Sequence, residues 1–124
     1  MNTDITADDV RKLRMAFLAA GPCLDLLTRA AKDGELPDQQ RWVKAGERLA
    51  RDPGLLEVRL IAKATRRTPA GVVRYFRPLN LALLASLAYA TLPGLFPDPA
   101  VQLDRVAPFD ISRWILNPPR PSCN

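Results

Sequence analysis

The sequence predicts an all-α protein: a small bundle of about five helices followed by a Pro-rich, mostly irregular C-terminal strap. Three observations carry that expectation. Apolar residues recur at helical spacing through the first three quarters of the chain. N-capping residues and turn signals cut that part into helix-length pieces. Seven of the twelve prolines fall in residues 93–124, where regular structure is confined to short pieces. The expected division is a helical domain over 1–92 and an extension over 93–124 that packs on the core or on a partner. At 124 residues the chain has room for one modest core.

The first helix is expected from about Ala7 to Ala20. Thr6 is a good N-cap, and Asp8 and Asp9 complement the positive end of the helix dipole. Val10, Leu13, Phe17 and Ala20 form its apolar stripe. Gly21-Pro22 ends it or kinks it into a second helix, Pro22 to Lys32, carrying Leu24, Leu27 and Ala31 on one face. Asp33-Gly34 is the stop. Pro37-Asp38 opens the next helix, to about Arg51, with Asp38 as N-cap and Trp42, Ala45 and Leu49 spaced for burial. Asp52-Pro53-Gly54 is a turn. Leu55 to about Thr65 is then helical. Its start also alternates with period two, as a strand would, but Ala62-Lys63-Ala64 and the Glu/Arg content favour helix. Thr68-Pro69 begins a short helix, with Thr as N-cap and Pro at the first helical position.

Residues 78–97 carry no charge, and Leu79 to Leu92 should be helical, entered through Pro78. Basic residues just before a charge-free stretch also fit a membrane span over 78–96. The helical part before Pro93 is only about 14 residues, where a span takes about 20. A central buried helix, apolar all round, is the favoured account. In the extension, 101–103 can be extended, Asp110 can cap a turn or two over 111–116, and 118–121 is polyproline-like. Phe109, Ile111, Trp114, Ile115 and Leu116 are a dense apolar set for a tail. They fold back on the bundle or bind a partner.

Charge is uneven. Residues 1–40 carry a net −2, 41–77 a net +7 and 78–124 zero, within a total of +5. A basic block of this kind attracts phosphates, an anionic membrane or an acidic protein. The sequence has no histidine, which excludes His bases, His metal ligands and Ser-His or Cys-His catalysis. It has no Gly-rich phosphate loop. Cys23 and Cys123 stand in no metal or redox spacing. Cys23 reads as a small buried hydrophobe. No cofactor, no metal and no catalytic residue is expected. The opening MNTDITADD lacks the pattern of a signal peptide, and nothing requires an oxidising compartment, so the expected setting is the cytoplasm.

Ile61 to Phe76 resembles the helix-turn-helix of bacterial repressors. Ala62 falls at the small position of the first helix, Thr68-Pro69-Ala70 at the start of the second, Val72 and Tyr75 at its buried positions and Arg74 at an exposed one. Arg66 stands where the motif has Gly, Arg67 where it has an aliphatic residue and Thr65 where the first helix is apolar, substitutions that disfavour a tight turn. The resemblance implies that Thr68, Ala70, Val73 and Arg74 face the major groove and that Arg66, Arg67 and Arg77 contact phosphates.

The favoured function is therefore non-enzymatic double-stranded DNA binding by a small regulator or accessory factor. Such proteins commonly act as homodimers, for which the helix 79–92 or the Trp114 tail is the candidate surface. The alternative is an interaction module, an adaptor, inhibitor or complex subunit, that meets an acidic partner through the basic face and uses Phe109, Ile111, Trp114 and Ile115 as anchors. The third reading is membrane association through 78–96, with Arg66, Arg67, Arg74 and Arg77 at the cytoplasmic surface.

Overall fold

A computed structural model describes residues 5–36 and 39–96, and among them the chain is five α-helices with no strand. The elements are α1 (Ala7–Lys32), α2 (Gln39–Ala50), α3 (Leu56–Ala64), α4 (Pro69–Tyr75) and α5 (Pro78–Thr91), with a 3-10 turn at Pro93–Leu95. The extension beyond Phe96, with Phe109, Ile111, Trp114 and Ile115, lies outside the described residues, as do Pro37 and Asp38.

The first helix starts as its residues require. Thr6 Oγ1 accepts from the Asp9 N–H and Asp9 Oδ2 accepts from the Thr6 N–H, each at 3.1 Å, which closes a capping box. Hydrogen bonding from Arg11, then from Lys12, holds the Asp8 carboxyl below its ordinary pKa. Gly21-Pro22 does not end the helix: α1 is one helix of 26 residues with Pro22 inside it. The buried row Leu13, Ala20, Cys23, Leu27, Ala31 runs through the proline without changing face. Pro22 lies on the exposed side opposite that row, as does Leu18, whose carbonyl loses its i+4 donor. Lost hydrogen bonds cost least at the solvent side. Packing of the inner row outweighs the local signal.

The centre of the bundle is α5. Leu81 to Ala85, Leu87 and Ala88 are all buried, so this helix is apolar all round because other elements surround it. It packs most extensively on α2, then on α1 and α3. Trp42 and Leu49 from α2, Leu27 from α1, Val58 and Ile61 from α3 and Val72 from α4 complete the main core around it. A second cluster joins Leu13, Leu60 and Ala64 to Ala88, Leu92 and Phe96. At its side Tyr89 stacks edge-on against Phe96 and donates its hydroxyl to Glu57 Oε2 at 2.5 Å. Glu57 is the one charged side chain buried among the described residues. Because α5 is enclosed, it is not the dimer surface that its composition suggested. At 14 residues it is about 21 Å long. No helix among the described residues is long and apolar enough to cross a membrane.

Candidate nucleic-acid interface

Residues 56–77 form a helix, a turn and a helix that abut the core only through their inner faces. The first is α3, where Val58, Leu60, Ile61, Ala62 and Ala64 are buried. It ends at Thr65, and Arg66 follows with φ of 58°, the one left-handed non-glycine residue among those described. The Arg67 N–H donates to the Ala62 carbonyl at 2.8 Å and the Arg66 N–H to the Lys63 carbonyl at 3.3 Å. This pair of bonds is a Schellman closure with Arg66 in the position glycine normally takes. The turn is therefore tight, against the expectation drawn from its residue types.

Neighbouring groups hold the turn in this shape. Thr65 satisfies its hydroxyl on the Ile61 carbonyl at 2.8 Å. Arg14 of α1 donates from Nε to the Ala64 carbonyl at 3.1 Å and from its guanidinium to the Lys63 carbonyl at 3.2 Å. A cation at the carbonyl end of a helix also complements its dipole. The Arg67 guanidinium lies 3.9 Å from the centre of the Tyr75 ring and 5.5 Å from that of Phe76, covering both aromatics.

The second helix, α4, begins where expected. Thr68 Oγ1 accepts from the Gly71 N–H at 3.0 Å, and Pro69 fills the first helical position. The facing of the helix differs from the expectation at two residues. Val72 is fully buried, but the inward row continues to Phe76, and Tyr75 is 65% exposed. Val73, expected toward the groove, is half-buried and packs against the main core. With only seven residues, α4 anchors on the i, i+4 pair Val72 and Phe76, which turns Tyr75 outward.

Thr68 at the N-cap and Ala70 and Arg74 on α4 are exposed, Arg66 and Arg67 are exposed in the turn, and Arg77 is exposed just after the helix. Arg67, Thr68, Gly71, Arg74 and Tyr75 line one open depression of about 540 Å³; Arg66, Ala70, Val73 and Arg77 lie outside its lining. The Thr68 oxygen accepts the cap bond, which leaves its hydroxyl proton free to donate outward. No acidic residue occurs between Val58 and Pro97, while six lysines and arginines do. Arg41, Lys44 and Arg48 on α2 and Arg51 just after it add an exposed basic stripe, and α2 also touches α4. Among the described residues no group of three or more acidic or cysteine side chains is arranged to hold a metal ion. Tyr75 and Arg14 were missed from the sequence. The i, i+4 pairing of Val72 with Phe76 is the signal that turns Tyr75 outward, whereas nothing local to Arg14 announces a partner fifty residues away.

No protein-family model, no curated protein and no solved structure matches this chain.

Proposed function

We propose that this protein binds double-stranded DNA through the α3–α4 hairpin, as a small regulator or accessory factor without enzymatic activity. The observation that carries the reading is the closed turn. A chain with Arg at the glycine position nonetheless holds two helices in a tight corner, and it leaves Thr68 exposed at the cap of the second helix and Ala70 and Arg74 exposed on it. In this reading α4 enters the major groove. Arg74 and the Thr68 hydroxyl read base edges, and Arg66, Arg77 and the α2 stripe dock on phosphates. Arg67 serves as both cover and cation, because its stacking on Tyr75 fixes where its charge sits. The absence of carboxylates from Val58 to Pro97 removes the repulsion that would oppose a polyanion.

The test is a salt-titrated gel shift on random and genomic duplexes. Affinity should fall with salt with a slope set by the phosphates neutralised. Arg74→Ala should cost about 1–3 kcal/mol and flatten any sequence preference, whereas Arg77→Ala should weaken all duplexes alike. No binding at low salt overturns the proposal. The exposed Tyr75 with Arg67 on its ring favours a second reading, since Tyr and Arg are the side chains that anchor protein interfaces. That reading is an interaction module for an acidic protein, and it predicts capture of such a partner that Tyr75→Ala abolishes while duplex binding is nil.

A further inference from the structure

We infer that α1 is a self-association surface on which a second copy of this chain packs in antiparallel fashion, about a two-fold axis through Leu18. One side of α1 is committed to the core through Leu13, Ala20, Leu27 and Ala31. The opposite side presents Arg11, Met15, Leu18, Pro22 and Asp25 to solvent. Their spacing of four, three, four and three residues is that of a two-helix seam, which keeps all five on one line along the helix. Met15 is 60% and Leu18 74% exposed, and the described part of the chain leaves only one other large hydrophobic residue, Tyr75, so open. The apolar centre of the line is therefore not a scatter of single residues.

The charges on that line select the partner and its direction. Arg11 and Asp25 lie seven residues to either side of Leu18. When a second α1 runs antiparallel across the first, each Arg11 faces an Asp25 and each Leu18 faces its own copy. Met15, three residues before the axis, meets Pro22, four residues after it. Arg11 also donates to the exposed Asp8 one turn back on its own helix, so across the dimer it bridges Asp8 and the facing Asp25. The parallel arrangement sets Arg11 on Arg11 and Asp25 on Asp25, which repel. A face that is apolar at its midpoint and antisymmetric in charge about it is complementary to itself, as a two-fold interface must be. Arg14 ties α1 to the end of α3, so such a dimer would also fix the separation of its two α4 helices. The inference does not rest on DNA binding, and its test uses none.

The experiment is sedimentation equilibrium of the full chain from roughly 1 µM to roughly 1 mM, where a three-residue apolar seam per copy should give a monomer–dimer transition. Leu18→Asp places two like charges on the axis and should raise the dissociation constant at least ~10-fold, with the monomer still folded by far-ultraviolet dichroism and its melting lowered only by the few degrees that the weaker helix propensity of Asp costs. Arg11→Asp alone and Asp25→Arg alone should each weaken the dimer roughly 10-fold, and the double swap should restore it to within about 3-fold of the parent. A chain monomeric over the whole range, a dimer indifferent to Leu18→Asp, or a double swap that fails to rescue overturns the inference.

Discussion

Gly46 sets how closely α2 and α5 approach, and replacing it should be the most damaging conservative change in the bundle. A Cβ placed on Gly46 would sit 1.6 Å from the Pro78 carbonyl oxygen, 2.2 Å from its carbonyl carbon and 2.8 Å from its Cα. Ordinary contact begins near 3.4 Å, so the first turn of α5 would have to retreat by nearly 2 Å. The obstacle is backbone, which no rotamer change can move aside. Nor can α5 yield locally, because Leu81 to Ala85 are buried immediately beyond. Overpacking of this kind costs about 3 kcal/mol or somewhat more, and the better helix propensity of Ala returns only about 1 kcal/mol. Gly46→Ala should therefore lose about 2–3 kcal/mol, which for a domain of this size is a fall of about 10 °C in Tm.

Gly21 supplies the matched control. It is helical too, but apart from its chain neighbours a Cβ there meets nothing within 4 Å. Gly21→Ala should change stability by less than about 1 kcal/mol, because the better helix propensity of Ala is opposed by its Cβ against the Pro22 ring. Urea unfolding followed by far-ultraviolet dichroism reads both. A Gly46→Ala protein within about 0.5 kcal/mol of the parent would refute the close approach of α2 to Pro78. If Gly21→Ala fell as far as Gly46→Ala, the glycine-to-alanine change itself would be at work and the contact argument would fail.

Two further outcomes test the turn and the buried acid. Arg66→Gly should stabilise the fold by about 0.5–1 kcal/mol in the same urea assay, because the left-handed conformation no longer opposes a Cβ. It should at the same time weaken duplex binding and lower the salt slope by about one phosphate, so that stability and affinity move in opposite directions. Tyr89→Phe removes the hydroxyl that donates to buried Glu57 and should cost about 1.5–3 kcal/mol, with a loss under about 0.5 kcal/mol counting against a role for that bond.

What the sequence made legible were features with a long or redundant signal. Trp42, Ala45 and Leu49 define the inner face of α2 by spacing alone, and all three are buried. The charge-free run gave α5 and its central place, because a helix apolar on every side has to be enclosed. The features that were not legible depend on partners distant in sequence. Pro22 carries a strong local break signal, yet α1 continues because its buried row is anchored on α5 and α3. Gly46 is indistinguishable by sequence from a tolerated helical glycine, and only the approach of Pro78 gives it a role. Val73 and Tyr75 exchanged faces because α4 is too short for its own periodicity to decide, and the core's need for Phe76 set its rotation.

The two helix ends at Gly34 and Arg66 show where residue-type reasoning reaches its limit. After α1, the Glu35 N–H donates to the Ala30 carbonyl at 2.7 Å and the Gly34 N–H to the Ala31 carbonyl at 3.0 Å, with Gly34 at a φ of 73°. After α3 the same two bonds recur, with Arg66 in place of Gly34. The first closure is announced by its glycine. The second costs about 1–2 kcal/mol in backbone conformation, and the groups around it must offset that. Arg14 on the last carbonyls, the Thr65 back-bond, the Thr68 cap and the Arg67 stack are four such groups, three of them within the turn itself. Arginine at the corner therefore has a cost in folding that glycine would avoid. A cation held outward at the rim of a basic hairpin is what that cost secures, and the opposite responses expected of Arg66→Gly in stability and in DNA affinity measure the two sides of that exchange.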